Sequence, residues 1–470
     1  MKDGFAIIVD IGKTLAKVSL WSRAGEMLDR ETRPNEVVKV EGIRRLDTEG
    51  IEKLILSSLA KFADHPVEYI VPVAHGAGIA LLHEGALAAP PIDYEQEMPS
   101  AVQEGYAKAR APFAETGSPS LPAGLNFGAQ LFWLDTLYPG LTTKSTLLPW
   151  AQYWAWFLTG EARTEATSMG CHSDLWAPAS GTFSSLAKEQ GWADRFAPLA
   201  RAADVVGTIK PELADKLGLS HDVKVLAGLH DSNAALHAAR GFGEIAESEA
   251  TILSTGTWFI AMRLAQQAIE LSDLPEARDC LVNVDAFGNP VPSARFMGGR
   301  EIETLIQIDT RQVDIKPDQP QLLDAVPKIL DEKAMVLPTL APGNGPFPQG
   351  EGGWVNRPED WYARRAGACL YAALVADTAL DLIGSKDCLL VEGRFAEAEV
   401  FVRALAVLRP ETAVYVANAH NDVSYGALRL INPDLKSKGG LNKVVPLDHD
   451  LSAYRQAWAT ATAQLQMVEA

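Results

Sequence analysis

The chain has 470 residues, 47% hydrophobic and 22% charged, a globular composition long enough for two domains. Lysine and arginine total 42 against 60 acidic residues, a net charge of −18, which excludes general binding to nucleic acid or an anionic membrane but not a small anionic ligand held by local groups. Four scattered cysteines without a C-x-x-C, no secretory leader at Met1-Lys2-Asp3 and no uncharged apolar run of spanning length predict a cytoplasmic protein.

Phe5-Ala6-Ile7-Ile8-Val9 reads as a buried strand, Asp10 to Thr14 as a turn, and Leu15 to Trp21 as an outgoing strand. Lys13-Thr14 is the ending of a P-loop, but the glycine five positions before Gly12 is missing and a strand follows, so a P-loop is rejected. Asp10 at the end of a buried strand is costly unless its charge is compensated. A hydrated magnesium ion would do this, and a turn aspartate capping its own backbone is the alternative.

Glu49 to Phe62 has helical periodicity, and Val67 to Val73 is a strand ending at Ala74-His75-Gly76-Ala77-Gly78. His75 on that loop is either a hydrogen-bonding group for a polyol or a satisfied core histidine. A helix carries Gln130 to Leu134. Leu147-Leu148-Pro149-Trp150 opens another, with Trp154 and Trp156 read as core and Gly160 as its end, and Glu165 to Ser168 follows on a polar loop that could face a ligand.

The stretch Ala227 to Met262 holds two devices. Gly228-Leu229-His230-Asp231 follows the apolar run Val223 to Ala227 and leads into the small-residue run Ser232 to Ala239, predicting strand, tight turn and close-packed helix. Asp231 then lies at a strand's carboxyl end, where open α/β sheets put their ligands. Next, Thr251-Ile252-Leu253 and Trp258 to Met262 flank Ser254-Thr255-Gly256-Thr257, predicting a hairpin whose tip offers backbone N–H groups and three hydroxyls to phosphate oxygens. Gly12 and Gly256, about half the chain apart, sit at the tips of similar hairpins. A duplicated domain, over 1–240 and 241–470, would let both tips face one nucleotide across a cleft. Gly241-x-Gly243-x-x-Ala246 nominally fits a dinucleotide fingerprint but follows a helix, and is rejected. Farther on, Arg295 to Glu301 opens a helix through Ile306, and its Gly298 and Gly299 either admit a ligand closely or form the turn. Tyr362 to Ile383 reads as one long helix. The strand Leu389-Leu390-Val391 runs into Glu392-Gly393-Arg394-Phe395, the strand Val414 to Val416 precedes Asn418 and a helix at Gly426-Ala427, and an Ala-rich helix follows Asp450.

Four motifs occur in order: Asp10-x-Gly12-x-Thr14-x-x-Lys17, Gly228-x-His230-Asp231, Ser254-Thr255-Gly256-Thr257-Trp258, and a strand–glycine–helix at Val391 to Phe395. Together, from Phe5 to about Leu430, they resemble the FGGY carbohydrate kinases, and the second hairpin looks most like the rhamnulokinase and fuculokinase branches. The resemblance implies an α/β fold of two actin-like (ribonuclease-H-like) domains with a nucleotide and sugar cleft between them. It also implies transfer of the γ-phosphoryl group of ATP, with Mg2+, to O1 of a ketose, a 6-deoxyketose such as L-rhamnulose or L-fuculose. By the same resemblance Asp231 is the base and Asp10 holds magnesium. Gly12, Lys13, Thr14 and Lys17, with Thr255, Gly256 and Thr257, serve the phosphates. Gly298, Gly299, Glu392, Gly393, Arg394 and Asn418 complete the nucleotide side, and His75, Gly76, His230, Asp231 and Trp258 the sugar side.

The chain departs from the family pattern in places. Lys17 stands for an arginine, giving up its bidentate fork. His75 stands for a tryptophan or glutamine, Gly78 for an aspartate and Gln130 for a lysine, and Tyr94-Glu95-Gln96-Glu97 replaces an aromatic-x-Asp-x-Arg segment. Glu392-Gly393-Arg394 replaces three glycines, which predicts added bulk and an ion pair between the two side chains at the adenosine wall. A kinase for xylulose, another pentulose or a polyol remains an alternative, as does a catalytically weak actin-like sensor of sugar or nucleotide. A homodimer is a family expectation.

Overall fold

The computed structural model describes residues 4–310, 312–419 and 422–468. The chain divides into two units: Met1–Gly241 with Val282–Pro290 and Asn421–Ser437, and Phe242–Leu281 with Val291–His420 and Lys438–Ala470.

In the first unit, Phe5–Ile11, Leu15–Ser22 and Met27–Pro34 form an antiparallel meander. Val67–Ala74 lies parallel to Phe5–Ile11, and both Lys224–Leu226 and Leu229–His230 lie parallel to Val67–Ala74. The first strand reads as a continuous apolar run because both its faces are covered. Ile7, Val9 and Ile11 join Ile51, Ile55, Leu59 and Phe62 of the helix Thr48–Phe62, while Ala6 and Ile8 join Tyr425, Ala427 and Leu428 of the helix Val423–Ile431.

The small residues of the helix Asp231–Ala239 admit that second helix closely. A Cβ on Gly426 would lie 1.7 Å from the Ala234 carbonyl oxygen, so only hydrogen fits.

The second unit repeats the plan. Ala250–Thr255 and Phe259–Arg263 form a hairpin, Pro290–Phe296 adds an antiparallel strand, and Cys388–Gly393 and Ala413–Ala417 continue the sheet in parallel on the other side. The helix Trp361–Leu382, capped by the Asp360 side chain on the Ala363 N–H at 2.7 Å, is buried on nearly every face, which its alanines allow.

Two local expectations change. Leu147 and Leu148 belong to a short strand, Thr146–Pro149, and the helix starts only at Trp150, because the residue before a proline disfavours helical backbone. Glu165 to Ser168 is a strand end and a short helix rather than a loop: Glu165, Thr167 and Ser168 are buried, Glu165 accepts the Thr167 hydroxyl and the Thr167 and Ser168 N–H groups, and the Ser168 hydroxyl has no hydrogen-bond partner among the described residues. Met27–Pro34 is a strand despite Asp29, Arg30, Glu31 and Arg33, a charged pattern that suits the edge of a sheet. Among the described residues, no helix is long and apolar enough to cross a membrane.

Candidate active site

The register of the first hairpin sets Asp10 opposite Lys17, and Lys17 Nζ lies 2.9 Å from Asp10 Oδ2. Asp10 is 3% exposed. Burial raises its pKa, Lys17 offsets only part of that, and the negative charges of Asp231 and Asp422 push it further up. The turn is closed by Gly12 N–H to the Leu15 carbonyl, 3.1 Å, and braced by Asn35, whose side chain donates to the Gly12 carbonyl at 2.7 Å.

Lys13 is already engaged. Its ammonium pairs with Asp93, whose side chain is fully buried, and stands 4.4 Å from the centre of the Tyr94 ring. Tyr94 in turn meets His75 edge-on, ring centres 5.4 Å apart.

His75 is anchored by its N–H on the Ile11 carbonyl, 3.1 Å, and its Nδ1 is buried with no hydrogen-bond partner among the described residues. Burial, reinforced by the nearby Lys13 and His230 charges against that of Asp231, lowers its pKa to about 4, so the ring is neutral at pH 7. An orphaned, neutral ring nitrogen is a ready partner for a ligand hydroxyl. Gly76 admits the neighbouring Cys171, whose Sγ would lie 2.4 Å from an added Cβ. Gln130 Nε2 donates to the Ala77 and Gly124 carbonyls, at 3.0 and 2.7 Å, while its Oε1 is buried with no hydrogen-bond partner among the described residues.

Gly228, at φ +75°, turns the chain from Lys224–Leu226 into Leu229–His230; a Cβ there would lie 2.0 Å from the Pro72 carbonyl oxygen. Asp231 follows as the first residue of its helix, 26% exposed at the side chain, and Oδ1 accepts the Ser232 N–H at 2.6 Å. His230 Nε2 lies 3.0 Å from Asp231 Oδ1. Burial pushes the Asp231 carboxyl up, but the charge and hydrogen bond of His230 outweigh it and hold it below the usual range. Asp231 is therefore ionised at neutral pH and open to an incoming hydroxyl.

In the second unit the hairpin tip is closed by Gly256 N–H to the Trp258 carbonyl, 3.0 Å. Thr257 and Ser254 are exposed, but the Thr255 hydroxyl is turned inward: it donates to the Glu392 carbonyl and accepts the Phe395 N–H at 3.1 Å. The tip thus offers two free hydroxyls instead of three, the third fastening the hairpin to Cys388–Gly393. Gly299 lets the helix Gly298–Ile306 start against the turn; its Cβ would lie 2.0 Å from the Gly256 carbonyl oxygen. Trp258 carries the Arg295 guanidinium 5.1 Å from its ring centre.

The expected Glu392–Arg394 ion pair does not form. Arg394 turns to Glu303, 3.3 Å, and the Thr310 hydroxyl, because Gly393 at φ +85° redirects the chain between the two residues. Glu392 is left half-buried with no side-chain hydrogen bond among the described residues, and burial raises its pKa to about 7. Asn418 spends its side chain on the Gly440 N–H, 2.8 Å.

Sequence reasoning missed Asp93, Cys171, Asn233 and Asp422, since nothing local marks them; each matters only through a partner distant in the chain or a buried ring.

Two sheets of one plan, each opening on a glycine-tipped hairpin, define the duplicated actin-like fold. Residues 247–438 match the profile described as the carbohydrate kinase FGGY C-terminal domain. The whole chain is similar to a carbohydrate kinase of known structure from Novosphingobium aromaticivorans, 63% identical over 99% of this chain and 100% of that one, with a TM-score of 0.96. A xylulose kinase from Rhodospirillum rubrum shares the fold at 17% identity, with a TM-score of 0.80 over 99% of each chain. L-fuculokinase from Escherichia coli K12 is 26% identical over 285 residues, 56% of this chain and 57% of that protein. The chain thus spans little more than half the length of that curated relative. It belongs to the FGGY carbohydrate kinase family.

Proposed function

We propose that this protein is a sugar kinase that transfers the γ-phosphoryl group of ATP to a hydroxyl of a ketose, a 6-deoxyketose such as L-fuculose or L-rhamnulose. The observation that carries this reading is Asp231: an ionised, half-buried carboxylate on a helix start, held by a histidine and sharing its surroundings with the buried carboxylate of Asp10. Phosphoryl transfer asks a protein mainly for positioning, charge stabilisation and a base. Asp231 accepts the proton of the sugar hydroxyl as its oxygen attacks the γ-phosphorus. His75, Gly76 and His230 line the sugar side, Trp258 being their counterpart in the second unit. The backbone of Gly12 to Thr14 and of Gly256 to Thr257 serves phosphate oxygens, with Lys17 adding positive charge, and Gly298, Gly299, Glu392, Gly393, Arg394 and Asn418 flank the nucleoside.

The residues present fit magnesium. Asp10 offers oxygen only, and the charges of Asp231 and Asp422 make its surroundings favourable to a cation. Among the described residues no group of three or more His, Cys, Asp or Glu could hold a metal, so the chain itself would offer the ion Asp10 and no closed ligand set. When bound, it supplies charge neutralisation at the phosphates.

The resemblance of the second hairpin to the rhamnulokinase and fuculokinase branches, with an L-fuculokinase among the relatives, supports a 6-deoxyketose over a pentulose. The test is ADP release by the purified protein with Mg-ATP across ketoses, aldoses and polyols against a sugar-free blank. Turnover confined to one 6-deoxyketose establishes the reading; turnover on a pentulose alone moves the substrate. Silence with ATP, GTP and pyrophosphate from folded protein replaces the kinase by a sugar or nucleotide sensor.

A further inference from the structure

Both ring nitrogens and the backbone N–H of His230 meet named groups. Nε2 faces two partners, Asp231 Oδ1 at 3.0 Å and Cys171 Sγ at 3.3 Å. Nδ1 meets the Asn233 side-chain amide at 3.0 Å. The His230 N–H donates to the Thr167 hydroxyl at 2.9 Å, and that hydroxyl donates to Glu165 at 2.7 Å. His230 and Cys171 are both buried, and the absence of a side chain at Gly76 is what lets the thiol approach.

We propose that Cys171 is a positioning residue for the phosphoryl-acceptor base: its sulfur clamps the His230 ring against Asp231 and so sets the charge that the base feels. The proposal rests on the reading of Asp231 as the base.

The physical argument is a competition of fields in a buried place. Burial opposes charge on both the thiol and the imidazole, yet each stabilises the other's ion, and Asp231 adds a second negative charge beside the ring. The balance raises His230 above its ordinary value, and, against burial, the charges of His172 first and His230 second draw the Cys171 thiol down to about 6. Glu165, His75, Tyr94 and Asp10 are further titratable groups whose charges act on this cluster. Burial holds the Glu165 carboxyl up at about 7, so it is partly ionised near neutral pH in wild type and Cys171 variants alike, and His75 is neutral. Cys171 therefore decides how far His230 is protonated, and His230 decides how low Asp231 sits.

The experiment follows the ring directly in the full-length protein, without substrate. Histidine-labelled wild type, Cys171→Ala and Cys171→Ser are titrated by proton–nitrogen NMR, with the His230 signals assigned from His230→Gln. The expected result is a His230 midpoint at least tenfold more acidic in proton concentration for Cys171→Ala, with Cys171→Ser in between because its hydroxyl keeps one hydrogen bond. A His230 midpoint unchanged in a folded alanine or serine variant overturns the proposal. Failure of the base reading shows separately, as turnover that survives Asp231→Asn while the NMR shift persists.

Discussion

The carboxylate of Asp231 and the imidazole of His230, neighbours in sequence, meet at 3.0 Å across a turn from strand to helix, so one residue holds the charge of the next. The direction of both shifts fixes a pH dependence. Asp231 ionises below the ordinary carboxylate value of about 4, so kcat/KM should be flat from about pH 5 to 7. An acid limb within that window, measured with saturating Mg-ATP and equally present in Cys171→Ala and Glu165→Gln, removes Asp231 from the base role. Asp231→Asn should lower kcat by roughly 10²–10⁴-fold, the span of general-base effects, with ADP still binding by calorimetry.

Lys13 tests which side of the site the first hairpin serves. Because its ammonium is committed to buried Asp93 and rests over Tyr94, Lys13→Met should loosen Tyr94 and the facing His75. The sugar KM should rise roughly fivefold, equivalent to about 1 kcal/mol, with little change in ADP affinity. A loss confined to the nucleotide would mean that the lysine leaves Asp93 to grip phosphate.

Lys17 is the named counter-charge of Asp10. Replacing it by methionine leaves a carboxylate that is 3% exposed without its ion-pair partner, and should cost roughly 1–3 kcal/mol in urea unfolding. Adding Asp10→Asn should restore most of that stability while leaving turnover abolished. An unchanged urea midpoint in the single variant would show that Asp10 is adequately solvated.

Two glycines should part company. Gly228→Ala forces a side chain to φ +75° and against the Pro72 carbonyl, a loss of roughly 3 kcal/mol or a failure to fold. Gly256→Ala meets nothing nearer than 3.7 Å, so the protein should keep its melting temperature and lose nucleotide affinity instead. Equal destabilisation of both would contradict this division.

His237 predicts how stability follows pH. Burial and the charges of Arg429 and Arg240 lower its folded pKa to about 4, below the unfolded value of about 6.5. The unfolded chain then binds the extra proton between these values, so stability is complete above about pH 6.5 and declines as pH falls toward 4, by at most about 1.4 kcal/mol per pH unit. His75 acts in the same direction. His237→Gln should flatten the melting-temperature profile across that window; an unaltered slope would exclude it as a contributor.

Much of this was legible in the sequence, for reasons that differ from place to place. Both hairpins announce themselves through apolar runs broken by glycine and hydroxyl residues, and Thr48–Phe62 through its period, because each is a local pattern. Asp10 and Asp231 stood out because a carboxylate ending a strand needs a reason. What stayed hidden is pairing at a distance. Neither the grip of Asp93 on Lys13 nor that of Cys171 on His230 leaves a mark in the chain near either partner. The inward turn of Thr255 and the choice of Glu303 by Arg394 were likewise invisible, since side-chain direction on a strand end depends on what the adjoining helix and turn leave open.

The helix Val423–Ile431 belongs to the first unit although nearly two hundred intervening residues belong mostly to the second. A ribosome delivering this chain therefore releases the first sheet with one face only partly covered, Ala6 and Ile8 lacking Tyr425, Ala427 and Leu428, until the last tenth of the protein emerges. The second unit must form, or at least be held harmlessly, while the first waits. Expression of the first 241 residues alone should yield a sticky fragment, and supplying a peptide of residues 422–437 in trans is the natural way to quiet it.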